Sequence, residues 1–137
     1  MLSIENIYQF IGDEYGIKSD ELSPDSDLNG DFGIEGDDFD DLILDYSNLF
    51  KVNLDTYLWY FHSSEEAVSP FAFIFPPPNQ RVEKIAVTPE LLLKYAQSKV
   101  WSVKYPTHTI PNKRWDIISL NIFLVASVIV ALTLWIA

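Results

Sequence analysis

Apolar side chains recur every three or four positions at Ile4, Ile7, Tyr8, Ile11 and Tyr15, the spacing of one buried face of a helix. Ser3 stands where an N-cap belongs, and Gly16 where a left-handed residue closes a helix. A polar stretch over 18–36 follows, pinned by Leu22, Leu28, Phe32 and Ile34. A loop of that length in a compact domain is expected to be functional or to pack by its own side chains. Helical spacing resumes with Phe39, Leu42, Ile43, Tyr46, Leu49 and Phe50, all read as inward-facing. Asp37 or Asp38 is the expected cap, and acidic residues in that first turn favour the helix dipole. A third short helix or turn is expected over 54–61, where Tyr57, Trp59, Tyr60 and Phe61 read as core.

The pattern changes at 69–80, SPFAFIFPPPNQ. Phe71 to Phe75 reads as a strand that Pro76, Pro77 and Pro78 must end, with Lys84 to Val87 as its partner in a small hairpin. Thr88-Pro89-Glu90 then opens a helix, Thr as cap and Pro at the first helical position. It is expected to run to about Trp101 with Leu91, Leu92, Tyr95 and Ala96 facing in. The expected fold is mainly α: a small helical bundle over 1–101 with a short β-hairpin in an insertion at about 63–84. A linker over 102–114 leads to a transmembrane helix over 115–137.

That last segment, WDIISLNIFLVASVIVALTLWIA, carries no ionisable side chain after Asp116. Its remaining 21 residues span about 31 Å as a helix, the thickness of a bilayer's hydrocarbon core. Trp115 and Trp135 bracket that thickness, and tryptophan favours both membrane interfaces. Lys113 and Arg114 flank its start, so the positive-inside rule places the N-terminal part in the cytoplasm. Met1 to Phe10 lacks the pattern of a signal peptide. The expectation is a tail-anchored, single-pass membrane protein.

Composition sharpens this picture where it is uneven. The chain has 20 acidic and 9 basic side chains, a net charge of -11, and no cysteine. Residues 1–66 hold 17 of the acids against Lys18 and Lys51, whereas residues 67–137 carry a net charge of +4. Such an acidic balance argues against nucleic-acid binding, which needs clustered Lys and Arg. The lack of cysteine excludes disulfides and thiolate metal sites. Acid density peaks at Glu35, Asp37, Asp38, Asp40, Asp41 and Asp45, along the second helix. Like charges so close disfavour the helix unless something positive binds there, which points to a basic protein partner.

A short helix, a long acidic loop and an acidic helix opening after a glycine-rich turn together resemble an acyl carrier protein. The resemblance keeps one register from about residue 4 to 55, with an echo at 88–101. The family's Gly-hydrophobic-Lys turn falls on Gly16-Ile17-Lys18, its loop leucine on Leu28 and its Asp-Leu-Gly on Asp31-Phe32-Gly33. The Glu-Leu-Val of its recognition helix falls on Asp41-Leu42-Ile43, and its closing Phe-Gly-Ile on Phe50-Lys51-Val52. The Gly-Ile-x-Gly-Asp-Asp pattern of Gly33 to Asp38 also resembles an uncharacterised bacterial family of carrier-like proteins, which implies a bacterial inner membrane. Where carriers attach phosphopantetheine to the serine of Asp-Ser-Leu, this chain has Glu35, Gly36 and Asp37. Glycine offers no hydroxyl, so no cofactor is expected.

Asp25-Ser26-Asp27-Leu28-Asn29-Gly30 fits the opening of a calcium loop, with Asp25, Asp27 and Asn29 as candidate ligands. Its twelfth position is Gly36 instead of glutamate, so no metal site is assigned. His62 and His108 lie in no nucleophile motif, and the chain is not expected to be an enzyme. The reading is a non-catalytic, membrane-tethered, acyl-carrier-like module whose acidic second helix docks a basic partner. The alternatives are a true carrier modified at another residue and a structural or calcium-responsive subunit of a membrane complex.

Overall fold

The computed structural model describes all 137 residues. Four α-helices form: α1 (Ile4–Tyr15), α2 (Gly36–Phe50), α3 (Pro89–Ser98) and α4 (Trp115–Ile136). Short 3-10 turns lie at Ser19–Glu21, Trp59–Phe61 and Pro78–Gln80. There is no β-strand, only one parallel bridge between Asn53 and Val100.

The helix termini follow the local chemistry, with one shift. Asn6 Oδ1 accepts the Ser3 backbone N–H at 2.9 Å at the start of α1, and Gly16 closes it at φ 68°. Thr88 Oγ1 accepts the Leu91 N–H at 3.2 Å, capping α3 with Pro89 in its first turn. α2 begins earlier than the spacing predicts: its N-cap position is Glu35, two residues before Asp37 and three before Asp38, and no side-chain bond caps it. Gly36, at φ 55°, makes that early entry.

α1, α2 and α3 share one core. Ile7, Phe10 and Ile11 meet Phe39, Leu42, Ile43, Tyr46 and Phe50 of α2 and Leu92, Tyr95 and Ala96 of α3. Phe10 joins Tyr46 and Phe50 in an aromatic trio with ring centroids 5.5 to 6.3 Å apart. The buried Tyr46 hydroxyl donates to the Leu92 carbonyl at 2.7 Å, so the polar end of a core side chain is satisfied. Leu49, read as inward-facing, is exposed, and Phe10, outside the expected set, is buried. The long loop packs by its own side chains: Leu22, Leu28 and Ile34 enter the core, and buried Asn29 donates through Nδ2 to the Ile34 carbonyl at 2.7 Å.

The expected hairpin does not form. Residues 71–75 coil into a tight turn, with Ile74 and Phe75 N–H both donating to the Phe71 carbonyl at 3.0 and 2.9 Å. The partner segment is occupied elsewhere: Ile85 N–H donates to Phe61 O at 2.7 Å, and Leu28 N–H donates to Val87 O at 3.1 Å. The Ile85 donor and the Val87 acceptor, which a ladder to 71–75 would need, are thus already engaged with other segments. The expected helix over 54–61 shrinks to the single turn at Trp59–Phe61. α3 likewise stops at Ser98; Lys99 turns left-handed at φ 64°, and Trp101 drops into the core with no exposed surface.

The stretch after Trp101 is strapped to the head. Tyr105 packs on Phe61 with ring centroids 4.8 Å apart, and the Tyr60 hydroxyl meets His108 Nε2 at 2.8 Å. α4 then runs 22 residues, long and apolar enough to cross a membrane, and its apolar window is unburied by the rest of the protein.

Candidate functional site

The solvent face of α2 is where charge and shape coincide. Asp37, Asp40, Asp41, Leu44, Asp45 and Asn48 follow the three-and-four spacing of a helix and are all exposed. They lie opposite the buried Phe39, Leu42, Ile43, Tyr46 and Phe50. Glu35 and Asp38 are exposed beside them. No cation pairs with any of these acids; the ion pairs of the whole molecule are Arg114 with Glu65 and Arg114 with Asp116. Leu44, 56% exposed, is an apolar centre inside an acidic rim. Sequence reasoning missed it, although a helical wheel drawn on the core positions would have put it outside.

The crowding has electrostatic consequences. Partial burial, then the neighbouring Asp37 and Asp41 charges, raise the Asp40 carboxyl above the ordinary aspartate range. Burial, then Asp38, Asp41, Glu14 and Asp45, pushes the Tyr15 hydroxyl up to about 12. That hydroxyl donates to the Asp38 carbonyl at 2.6 Å, tying α1 to the first turn of α2.

Gly36 is buried, and the segment at 63–68 covers it. A Cβ built on it would lie 2.2 Å from Glu66 Cγ and 2.7 Å from its Oε1. Gly36, Asp37 and Asp40 line a groove of about 370 Å³ with Trp59, Glu65, Glu66 and Ile117. The N-terminal end of α2 thus sits beside the first turn of α4.

The residues flanking α4 are arranged unequally. Arg114 Nη1 and Nη2 donate to the two Glu65 carboxylate oxygens at 2.6 and 2.9 Å. Its Nε and Nη2 donate to Asp116 at 3.0 and 2.6 Å. Arg114 is therefore consumed by two carboxylates, whereas Lys113 is unpaired, its Nζ 5.6 Å from the Trp115 ring centroid. Trp115 and Trp135 are both exposed.

The calcium-like loop is organised by its own bonds. Asp27 Oδ1 accepts the Asn29 N–H at 3.1 Å, and Asp31 Oδ2 accepts the Asp27 N–H at 2.8 Å. Asp25 accepts from Ser23 Oγ at 2.7 Å, and that bond holds its carboxyl below the usual range. No group of three His, Cys, Asp or Glu converges in a way that could hold a metal ion.

Residues 1–103 match a family described as proteins of unknown function (DUF1493). The chain belongs to the DUF1493 family. The match spans α1, α2, α3 and the buried Trp101, and ends before the strap residues Tyr105 and His108 and before α4. No curated protein and no solved structure matches the chain. The acidic face and Gly36 both lie within the DUF1493 region, as does one half of a buried network around His62. His62 Nδ1 meets the Ile85 carbonyl at 2.9 Å, and its Nε2 meets the Tyr105 hydroxyl at 2.8 Å. Trp101 Nε1 and Leu58 N–H donate to the same hydroxyl at 2.9 and 3.2 Å. This network joins the DUF1493 core to the strap, and no sequence motif announced it.

Proposed function

We propose that this DUF1493 chain is a non-catalytic interaction module, related to acyl carriers in the order of its first two helices. α4 holds it in a membrane, and the acidic face of α2 docks a basic partner. The observation that carries the reading is the set of six exposed, unpaired carboxylates on or beside α2, surrounding the exposed Leu44. Steering by opposite charge with an apolar centre is the usual division of labour at such interfaces. The placement of Gly36 and Asp37 beside Ile117 supports a partner met at the membrane surface. Sharing one membrane raises the effective concentration, so weak contacts suffice.

The non-catalytic part of the reading is supported by both histidines being tied into structural bonds on both ring nitrogens. It is supported further at Gly36, where a carrier has its serine and this chain has Glu66 packed over the backbone. Orientation with the head in the cytoplasm is supported by Lys113 and Arg114 just before α4, and a bacterial inner membrane by the carrier-like resemblance.

The test is crosslinking in native membranes followed by purification at low and high salt. A partner is expected to be captured at low salt, released at high salt, and lost in the Asp37→Lys, Asp41→Lys double variant. Capture that survives the double reversal overturns the acidic-face reading. The intact mass of the purified protein is expected to equal the sequence mass; an added phosphopantetheine mass would make the protein a carrier instead.

A further inference from the structure

The turn over 69–75 is anomalous for a soluble surface. Phe73 is 82% exposed and Ile74 56% exposed, on a segment with no charged side chain between Glu66 and Arg81. Its position relative to α4 explains this. Ser69 Oγ donates to the Asp116 carbonyl at 2.9 Å, which fixes the entry of the turn at the start of α4. The Phe71 ring then stacks edge-on against Phe123 at 5.8 Å, and the Phe75 ring returns to Trp115 at 6.5 Å. Asp116 to Phe123 is about 10 Å along a helix. The chain therefore descends beside α4, turns, and climbs back to the level at which it began.

We propose that residues 69–75 are a second membrane-inserted element, a shallow re-entrant turn whose Phe73 and Ile74 contact lipid acyl chains beside α4. The proposal rests on α4 spanning the membrane, because the rings of Phe71 and Phe123 share one depth. Hydrocarbon tolerates such a turn only if its backbone is satisfied internally or against protein. Pro70 has no N–H, and the Phe71, Ala72, Ile74 and Phe75 N–H groups are each bonded within the turn; the Phe73 N–H lacks a protein partner, which keeps the insertion shallow. Arg81 and Lys113 line a crevice with Trp115 at the level where the turn leaves, the place for lipid phosphates. Two points of insertion, α4 and the turn beside it, would fix how the head stands on the bilayer.

The chain has no cysteine, so single spin labels can be placed at will. The variants Phe73→Cys, Ile122→Cys, Val128→Cys and Asp20→Cys are labelled in the full-length protein and reconstituted in nanodiscs of phosphatidylethanolamine and phosphatidylglycerol. Collisions with oxygen, which dissolves in hydrocarbon, are compared with those of a water-soluble nickel chelate. The label at 73 is expected to match that at 122, with an oxygen-to-nickel ratio several-fold above that at 20 and below that at 128. If position 73 collides freely with nickel while 122 and 128 do not, the turn lies outside the bilayer and this inference fails alone. If 128 is also open to nickel, the anchor reading fails and the inference with it. Shielding of 73 from both reagents would mean a second copy covers it, which equally overturns lipid contact.

Discussion

Gly36 holds a backbone angle of +55°, and a side chain there would also strike Glu66. Restoring the hydroxyl that carriers use therefore meets two obstacles. Gly36→Ser is expected to destabilise the head by about 1–3 kcal/mol through backbone strain and the clash together. The Gly36→Ser, Glu66→Ala pair should recover part of that loss, since only the clash is relieved; urea unfolding measures both. His62 supplies a second expectation at this scale. Its Nδ1–H donates to the Ile85 carbonyl, so Nε2 accepts the Tyr105 hydroxyl proton, and the ring is neutral. Burial holds its imidazole below the usual histidine range, against the partial opposition of the Ile85 carbonyl. In the unfolded chain the ring gains a proton near pH 6.5, whereas in the folded one burial defers that to lower pH. The unfolded state thus binds more protons, and stability falls as pH drops below that point. The melting temperature is expected to decline between about pH 7.5 and 5.5, and His62→Phe should remove that slope even if it lowers the whole curve.

α2 shows how a helix can be right in pattern and costly in charge. Asp37 and Asp38 lie in its first turn, where the macrodipole favours them. Asp41 has no such compensation and faces Asp37, Asp38 and Asp45 at helical neighbour spacing. Each like-charge pair costs about 0.2–0.5 kcal/mol. Asp41→Asn is therefore expected to raise the melting temperature, and Asp37→Asn to leave it nearly unchanged, because it loses dipole energy as it relieves repulsion. Added salt should stabilise the wild type and do so less in Asp41→Asn. Scanning calorimetry at low and high ionic strength checks both, and equal effects of the two substitutions would remove the electrostatic account of this face. The helix also shows what periodicity leaves open. Its apolar residues include Leu44 and Leu49, and the spacing alone assigned Leu49 to the core, whereas packing against α1 selects Phe10, Tyr46 and Phe50 and leaves both leucines outside.

The head and α4 are joined through more than the backbone. Arg114 bridges Glu65 on the covering segment to Asp116 in α4, and the Asp116 side chain is nearly fully buried. Removing the guanidinium leaves two carboxylates facing each other with no counter-ion. Arg114→Ala is expected to speed amide hydrogen exchange over 63–75 at least about tenfold, roughly 1.4 kcal/mol of local opening energy. The α1 and α2 amides should be unaffected. Uniform acceleration across the head would instead mean that Arg114 supports the whole fold. Tyr105 acts on the other side of the same junction: its hydroxyl accepts from Trp101 and Leu58 and donates to His62, so the strap is held by a core residue of each neighbouring segment.

The sequence by itself determined the features that depend on neighbours a few residues apart. Helical spacing placed α1, α2 and α3, the Thr88-Pro89 cap and Gly16 marked two of their ends, and unbroken apolarity marked α4. The acids of the candidate face were readable for the same reason, since an exposed helix face is a local pattern. Tertiary structure decided the rest, because those features rest on groups far apart in the chain. Phe71 to Phe75 has strand-like composition, yet its expected partner strand is engaged elsewhere, Ile85 N–H donating to Phe61 and the Val87 carbonyl accepting from Leu28. Glu66 reaches Gly36 from 30 positions away, and His62 reaches Tyr105 from 43. No spacing rule covers such distances; only the packed core, which brings these segments together and favours partners for their buried polar groups, fixes them.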